Sequence, residues 1–364
     1  MRWISKLAGS LHLLFCVYTL LVYALCYWPV SSHWISGFLT MSLPLAVLAH
    51  ILVIISGWLL GAGKTATRSL VMVLISFPFW SRTFRFGESR EGENKNLRLL
   101  SYNIHQLGIG IKAPQGEQSL ISAEGIEWLK DLNPAIMCFQ ESYQSTKRNG
   151  DLAGAMKRIG YGQVIMADPP PNKKTGVQNG LAIFSKYKLK NREVKIFGGQ
   201  NGMLKCDVIA GADTLTVINV HLQSMTLNLR ELVEQRQMEG LKSESRKTVS
   251  RLKSGFEKRD DQIRLLEEWI EQASHPVVVC GDFNETPYGY AYGRISKLLT
   301  NSFELGGSGF GFTFRNLPYF IRIDNQFYDP DKIELAAFKT VRGVAFSDHR
   351  PVVSDYIIKK SPEK

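Results

Sequence analysis

The sequence predicts an α/β domain built from two packed sheets flanked by helices, preceded by an N-terminal transmembrane helical region. Two observations carry this prediction. Residues 1–86 contain long apolar runs and no Asp or Glu. From Leu97 onward, short apolar runs rich in Val, Ile and Phe are separated in places by amphipathic helical stretches. Many strands with few crossover helices favour two packed sheets between helical layers.

Length and charge narrow the class of protein. A chain of 364 residues allows one large domain or two average ones and excludes a small disulfide-stapled module. Of 44 basic residues, six lie in 1–86, which leaves 38 against 33 acidic residues in the remainder. This mild excess gives only weak support for a nucleic-acid partner. The five cysteines lie in apolar or strand-like segments, which indicates buried thiols rather than a disulfide framework: Cys16, Cys26, Cys138, Cys206 and Cys280.

Two N-terminal runs, Leu7 to Val30 and Ser36 to Leu60, are apolar and uncharged. As helices with a rise of about 1.5 Å per residue, each is long enough to cross a hydrocarbon core of about 30 Å. The first run is too long for a cleavable signal peptide and is followed at once by another. A buried hairpin in a soluble protein is disfavoured because core helices usually carry charge on one face. Tryptophans lie near the run ends, as in an interfacial belt: Trp3, Trp28, Trp34, Trp58 and Trp80.

A third apolar run, Ser69 to Trp80, decides on which side of the membrane the rest of the chain lies. It is short for a span, but it reaches spanning length if residues 65–67 join it and the flanking Arg68 and Arg82 snorkel. Basic residues precede the first run and follow the second, so the positive-inside rule places the N-terminus and the 61–68 loop in the cytoplasm. Two spans would keep the remainder inside. We favour three, which place it outside the cell membrane.

Composition divides the chain into a membrane region over 1–86, a polar linker over 87–96 and a folded domain over 97–361. Helices are predicted over 117–131 and 257–272. The predicted strands are 97–104, 135–140, 163–167, 180–185, 204–210, 214–222, 276–281, 311–314, 321–327, 335–341 and 352–358. The charged segment 226–256 is interpreted as a solvated helical excursion, or alternatively as a basic lip over a phosphate-bearing substrate or an anionic membrane surface.

Polar side chains stand where five strand-like runs stop or begin. The runs are Leu-Leu-Ser-Tyr-Asn (99–103), Ile-Met-Cys-Phe-Gln-Glu (136–141), Val-Ile-Asn-Val-His (217–221), Val-Val-Val-Cys-Gly-Asp-Phe-Asn (277–284) and Ser-Asp-His-Arg-Pro (347–351). Carboxylates and amides at the ends of buried strands converge in a cleft, where a cation or partner must compensate their desolvation. Oxygen ligands without thiolates suit a hard cation, Mg²⁺ before Zn²⁺.

In this order and at these spacings, Ser-Tyr-Asn, Gln-Glu, Asn-Val-His-Leu, Gly-Asp-Phe-Asn, Arg-Ile-Asp and Ser-Asp-His-Arg-Pro resemble the endonuclease/exonuclease/phosphatase superfamily. That superfamily includes deoxyribonuclease-I-like nucleases, neutral sphingomyelinases and inositol-polyphosphate phosphatases. The resemblance covers about 97–360. It implies a four-layered α/β sandwich with the site at one end of the paired sheets.

The resemblance also implies residue roles. Glu141 would hold Mg²⁺ directly, Asn103 would contact metal or phosphate, and Asp348 would act near the metal through water. Asp282 and Asn284 would position the nucleophile and the phosphoryl oxygens.

Three further roles concern proton transfer and charge. His349 would be the catalytic histidine with Asp324 orienting it, an arrangement that fixes the imidazole tautomer. His221 would contact the phosphate or protonate the leaving group. Asn179 and Arg315 are weaker candidates for substrate contacts, Asn179 because Asn-Gly is first a turn signal. His105 stands where relatives often have an acidic residue, which counts against a second metal.

These inferences predict a membrane-anchored phosphoesterase that depends on Mg²⁺, with Mn²⁺ as a possible substitute. A lipid headgroup is slightly favoured as substrate because tethering raises effective concentration at the bilayer. Two alternatives stay open: a membrane-tethered nuclease and a non-catalytic binding module on the same fold. No protein partner can be inferred, and the histidines in or beside the spans receive no role: His12, His33 and His50.

Overall fold

A computed structural model gives the structure of the protein. It describes residues 2–29, 33–87, 97–105, 123–145, 152–167, 177–223, 238–316, 320–344 and 346–360. Most of the predicted linker, residues 88–96, therefore lies outside the described residues. The N-terminal region consists of α1 (Arg2–Tyr27), α2 (Trp34–Met41), α3 (Leu43–Leu59), α4 (Gly63–Ile75) and a 3-10 helix (Phe77–Arg82).

Two six-stranded mixed sheets form the centre of the domain that follows the N-terminal region. In spatial order, the first contains β13 (Ile333–Thr340), β14 (Val352–Ile358), β2 (Leu97–Asn103), β3 (Ile136–Ser145), β5 (Val177–Ser185) and β4 (Gln163–Ala167). The second contains β10 (Thr300–Asn301), β12 (Asp324–Tyr328), β9 (Val277–Asp282), β8 (Asp213–His221), β7 (Asn201–Ala210) and β6 (Lys188–Gly198). Only β2 with β3 and β8 with β9 pair in parallel among these described strands. A separate ribbon pairs β1 (Phe84–Arg85) with β11 (Gly309–Phe310).

The two sheets pack face to face with helices on both outer faces. Apolar side chains from both fill the space between them, including Leu99, Cys138, Val217 and Cys280. The first sheet is covered by α5 (Ala123–Leu132) and α6 (Leu152–Arg158). The second is covered by α7 (Met238–Glu271) and α8 (Tyr290–Ile295), and α9 (Ser302–Gly306) packs on β13. This is the predicted four-layered α/β sandwich, and that prediction is confirmed.

The local predictions differ from the structure in several places. Residues 311–314 do not form a strand: their only β-bridge among the described residues joins Phe314 to His349. The predicted strand over 321–327 begins only at Asp324. Strand β3 continues four residues past Glu141, and β6 was not predicted. The helical interpretation of 226–256 is confirmed from Met238 onward, whereas 224–237 lies outside the described residues.

The N-terminal helices form a bundle that contacts the sandwich at one end. α1 reaches the sandwich at its C-terminal end, where Tyr23 and Cys26 share a buried cluster with Tyr288. Leu43 at the start of α3 and Phe79 after α4 belong to the same cluster. The turn between α3 and α4 therefore lies at the opposite end of the bundle, together with the N-terminus of α1.

Two segments of the described N-terminal region, Lys6–Tyr27 and Trp34–Leu59, are long and apolar enough to cross a membrane. Their outward faces are lined by exposed apolar side chains, among them Leu7, Leu14, Val17, Leu45, Leu52 and Ile55. α4 has 13 residues, about 20 Å at 1.5 Å per residue, which is shorter than a hydrocarbon core. With the 3-10 helix, whose rise is about 2 Å per residue, the stretch from Gly63 to Arg82 approaches about 30 Å.

Candidate active site

The ends of strands from both sheets meet at one edge of the sandwich. Asn103, the last residue of β2, donates from Nδ2 to Glu141 Oε1 at 3.2 Å and to Asp282 Oδ2 at 3.1 Å. Glu141 belongs to the first sheet, whereas Asp282 is the last residue of β9 in the second. His221 ends β8 directly beside Asp282, because the two residues are register partners in a parallel pair. The polar strand ends predicted to converge therefore do converge.

His349 and Asp324 form a buried pair at this edge. His349 Nδ1 lies 2.9 Å from Asp324 Oδ2, and its Nε2 faces Asp282 Oδ2 at 3.8 Å. The Thr313 hydroxyl accepts hydrogen bonds from the backbone N–H groups of Ile323 and Asp324, which fixes the start of β12. Burial disfavours the charged imidazole, yet the Asp324 and Asp282 carboxylates raise the pKa of His349 to about 10.

Glu141 reaches the cleft through an irregularity in β3. The register with β5 shifts between Phe139 and Ser142, and Glu141 itself adopts a positive φ of 52°. Such a conformation is uncommon for a residue other than Gly or Asn and is typically retained at functional sites. Burial opposes ionisation of this carboxyl. Hydrogen bonds from His105 and Asn103, with nearby His221, nevertheless lower the pKa of Glu141 to about 2, so it is anionic at neutral pH.

Asp282 is buried between the two histidines. Its Oδ2 lies 3.6 Å from His221 Nε2, and its Oδ1 accepts the backbone N–H of Asn284 at 2.8 Å. Burial and the neighbouring Asp324 carboxylate raise the pKa of Asp282 above its ordinary value, although both histidines oppose this effect. Asn284 adopts a φ of 50° and donates from Nδ2 to the Leu222 carbonyl, which anchors the loop that follows β9.

The remaining predicted residues lie at different distances from this centre. Asp348 is beside the cleft, with Oδ1 3.9 Å from His105 Nδ1 and Oδ2 accepting from Asn316. Arg315 donates from Nη1 to the carbonyls of Val344 and Ser347, so its guanidinium is bonded to backbone on both of these residues. Asn179 is on β5 and pairs with Tyr143 of β3. Tyr143 lies two residues beyond Glu141 on that strand.

Two features of the site were not predicted. His105 Nδ1 lies 3.2 Å from Glu141 Oε2 and near Asp348, which places an imidazole between two carboxylates of the cleft. A buried amide pair joins the sheets beneath the site, with Gln140 Nε2 donating to Asn219 Oδ1 at 2.7 Å. The sequence signal for this pair is one amide directly after or within a short apolar run, Gln140 after 136–139 and Asn219 within 217–220.

The cleft offers oxygen ligands for a hard cation. Carboxylate oxygens of Glu141 and Asp282 flank Asn103, and Asp324 Oδ1 is buried with no hydrogen-bond partner in the described part of the chain. Asp282, Asp324 and His349 also each offer a ligand atom within 4.8 Å of the others. A set dominated by carboxylate and amide oxygens, without thiolate, fits Mg²⁺ or Mn²⁺. Because the pKa of His349 is raised to about 10, its ring is protonated at neutral pH and offers no lone pair, so the better-fitting ion position lies on the Glu141 side.

Two family models match parts of the chain. A family model described as "Endonuclease/Exonuclease/phosphatase family" matches residues 126–349, and one described as a domain of unknown function matches residues 5–83. No curated protein matches the chain.

Solved structures are similar in fold. An endonuclease/exonuclease/phosphatase from Beutenbergia cavernae is 18% identical over 72% of each chain, with a TM-score of 0.53. The human Nocturnin catalytic domain with bound sulfate is 18% identical over 74% of this chain and 97% of its own, with a TM-score of 0.51.

Proposed function

Because the chain belongs to the endonuclease/exonuclease/phosphatase family, whose members hydrolyse phosphoester bonds, we propose that it is a membrane-anchored, divalent-metal-dependent phosphoesterase. The observation that carries this proposal is the meeting of Glu141, Asn103, Asp282 and the His349–Asp324 pair at one edge of two sheets. A fold retained only for binding would not need an anionic Glu141 and a carboxylate-paired histidine in the same cleft.

Glu141 is proposed as the direct ligand of Mg²⁺ or Mn²⁺, with Asn103 beside it and Asp348 acting through water. When bound, the ion would polarise a phosphoryl oxygen and offset negative charge in the transition state. The low pKa of Glu141 keeps its carboxylate available for the ion throughout the physiological range. Asn103 donates to both Glu141 and Asp282, so it also fixes the positions of the two carboxylates relative to each other.

The other side chains of the cleft are proposed to handle the proton and the phosphoryl charge. Asp282 orients the attacking water, and Asn284 holds Asp282 through its backbone N–H. Asp324 accepts from Nδ1–H of His349 and fixes the orientation of the ring, so that Nε2 faces the reacting group. His221 approaches Asp282 from the other side and is placed to contact phosphate or protonate the leaving oxygen. General acid–base catalysis of this kind contributes roughly 10²–10⁴-fold.

In this proposal, residues 1–86 form the membrane-spanning bundle, residues 87–96 are the linker and residues 97–361 form the catalytic domain. Three passes are supported by the bundle geometry: α1 ends beside the sandwich, α3 leads away and the stretch from Gly63 to Arg82 returns to it. The basic flanks Lys64 and Arg68 then lie on the side opposite the sandwich. The positive-inside rule therefore favours an extracytoplasmic catalytic domain.

An aromatic ridge favours a lipid substrate. We define the aromatic ridge as Phe84, Phe86, Phe310, Phe312 and Phe320, whose neighbouring ring centroids are 4.8–5.7 Å apart. It starts two residues after the 3-10 helix and ends near Phe314, whose ring lies 5.2 Å from that of His349.

The ridge is unusually open to solvent. Phe86 is 83% exposed, Phe320 73% and Phe310 49%. Exposed aromatic side chains next to membrane-spanning helices are typical of surfaces that enter the lipid interface. The ridge would thus bring the cleft to the headgroup layer, where a phosphate ester of a lipid is the nearest substrate.

A tethered nuclease is the second candidate, supported by the family to which the chain belongs. To distinguish the two functions, purified full-length protein with Mg²⁺ is assayed on phosphodiester lipids in vesicles and on a set of DNA and RNA oligonucleotides. We expect lipid headgroup release to dominate, to stop with EDTA and to be lost in Glu141→Ala but not in the exposed control Glu127→Ala. Preferred oligonucleotide cleavage would replace the lipid assignment. Mg²⁺-independent binding without turnover of any substrate would instead favour the non-catalytic module.

A further inference from the structure

A second group of metal-competent side chains lies in the N-terminal bundle, well apart from the active site. His12 and Cys16 are one helical turn apart on α1, His50 is in the middle of α3, and Ser69 is on α4. None of the four is more than 8% exposed. Ionisable residues inside an apolar helical bundle are costly and generally mark a functional site.

The polar atoms of this group are close enough to share one ion. The ligand atoms of His12, Cys16 and His50 lie within 4.8 Å of one another. Cys16 Sγ is 3.8 Å from His12 Nδ1, and Ser69 Oγ is 2.8 Å from His12 Nε2 and 3.0 Å from His50 Nδ1. Around a tetrahedral ion with bonds of about 2.0 Å to nitrogen and 2.3 Å to sulfur, neighbouring ligands are about 3.3–3.6 Å apart. Small side-chain adjustments therefore suffice.

Hydrogen bonding fixes which nitrogen of His50 is free to bind. The Thr19 hydroxyl donates to the Phe15 carbonyl at 2.9 Å, so its oxygen can only accept from His50 Nε2, 3.0 Å away. Nε2 therefore carries the proton, and Nδ1 presents its lone pair to Ser69 and the rest of the group. A histidine that donates one N–H to a supporting group while its other nitrogen faces the ion is the usual arrangement of a metal ligand.

We propose that His12, Cys16 and His50 bind a transition-metal ion of the Zn²⁺ class, with the Ser69 hydroxyl beside it. A thiolate with two imidazoles selects such an ion over Mg²⁺, so this site and the active site bind different metals. Binding releases the Cys16 thiol proton to water, and the ion takes its place. Rotation of the Ser69 hydroxyl frees the His50 lone pair while Oγ stays in position. The ion would join α1, α3 and α4.

The test is a Co²⁺ titration of the full-length protein in detergent, stripped of metal and supplied with excess Mg²⁺. Co²⁺ reports on this site alone because only a thiolate ligand produces sulfur-to-cobalt charge-transfer absorption in the near ultraviolet. We expect the absorption to saturate at one Co²⁺ per chain. It should vanish in Cys16→Ser and persist in the matched control Cys26→Ser, also a buried cysteine of α1. His50→Ala should weaken Co²⁺ binding at least tenfold.

Hydrolysis of a soluble phosphodiester serves as the folding check, and Cys16→Ser should leave it unchanged. A second measurement is the zinc content of wild-type protein, expected at one ion per chain and much lower in Cys16→Ser. Absence of the charge-transfer band in wild type, or its survival in Cys16→Ser, would overturn the proposal. The group would then be a hydrogen-bonded helix contact only.

Discussion

His349 Nδ1 lies 2.9 Å from Asp324 Oδ2, inside a cleft where both side chains are at least 93% buried. The pair joins the start of β12 in one sheet to the loop before β14 in the other. At this depth a charged imidazole persists only because carboxylates surround it, so the pair and Asp282 form one electrostatic unit. The predictions below follow from that unit and its surroundings.

Replacing Asp324 by Asn removes the charge that holds His349 while keeping the side-chain volume. We expect kcat to fall roughly 10²–10⁴-fold with KM little changed, because the charged His349 ring loses the carboxylate that stabilises its proton and fixes its orientation. Steady-state hydrolysis of a soluble phosphodiester measures this. Asp355→Asn is the matched control, since Asp355 is equally buried but pairs with Arg98 away from the cleft. Equal kcat values for Asp324→Asn and wild type would rule out the orienting role.

Glu141→Gln should act through metal affinity. The substitution removes the anionic ligand without changing shape, so the Mg²⁺ concentration for half-maximal activity should rise at least tenfold. Asn103→Ala, which loses the bridge to Asp282, should give a similar shift of about 10–100-fold. Activity as a function of Mg²⁺ concentration provides the measurement, with exposed Glu127→Gln as control. Unchanged Mg²⁺ dependence in both variants would place the ion elsewhere.

The raised pKa of His349 predicts how stability depends on pH without metal. In the folded protein His349 keeps its proton up to about pH 10, whereas in the unfolded chain it is lost near 6.5. The folded state thus binds more protons between these values, so the free energy of unfolding should fall as pH rises through this window.

Chemical denaturation in EDTA, followed by tryptophan fluorescence, would measure that dependence. His349→Gln should lower the slope by up to about 1.4 kcal/mol per pH unit. Identical slopes for the two proteins would show that His349 is not protonated in the folded state across that range.

The aromatic ridge should matter for lipid and not for soluble substrate. Burying a large aromatic side chain contributes about 1.5–3 kcal/mol, so the double variant Phe86→Ser, Phe320→Ser should reduce turnover of vesicle lipid at least tenfold. Hydrolysis of a soluble phosphodiester should be unchanged. Tyr187→Ser, at an exposed turn before β6, provides a control. Equal loss on both substrates would indicate damage to the cleft rather than loss of lipid contact.

The sequence predicted the features that depend on a strong local pattern. Strands ending in Asn103, His221 and Asp282 were recognisable because continuous apolar runs stop at polar residues. β6 was not predicted because it is an edge strand whose residues are mostly exposed and often charged, and a register shift between Lys190 and Glu193 interrupts the alternation of its few apolar residues. The prediction ended β3 at Gln140, five residues too early, since a bulge that turns one polar side chain into the cleft leaves no signal in residue type.

Other parts of the site depend on tertiary contacts that no local pattern encodes. His105 contacts Glu141 across 36 positions of sequence, and the interpretation of Arg315 as a substrate contact could not foresee its bonds to the carbonyls of Val344 and Ser347. The polar group of His12, Cys16 and His50 was not recognised as a site because His50 lies on a different apolar run from the other two. Only packing of α1, α3 and α4 brings them together.

The central claim is that one divalent ion binds at Glu141, between the two sheets. Anomalous diffraction from crystals of the full-length protein grown with Mn²⁺ tests it most directly. We predict a Mn²⁺ peak within bonding distance of a Glu141 carboxylate oxygen and adjacent to Asn103, with the hydrogen bond between His349 and Asp324 intact. A peak among Asp282, Asp324 and His349, with none at Glu141, would contradict the claim.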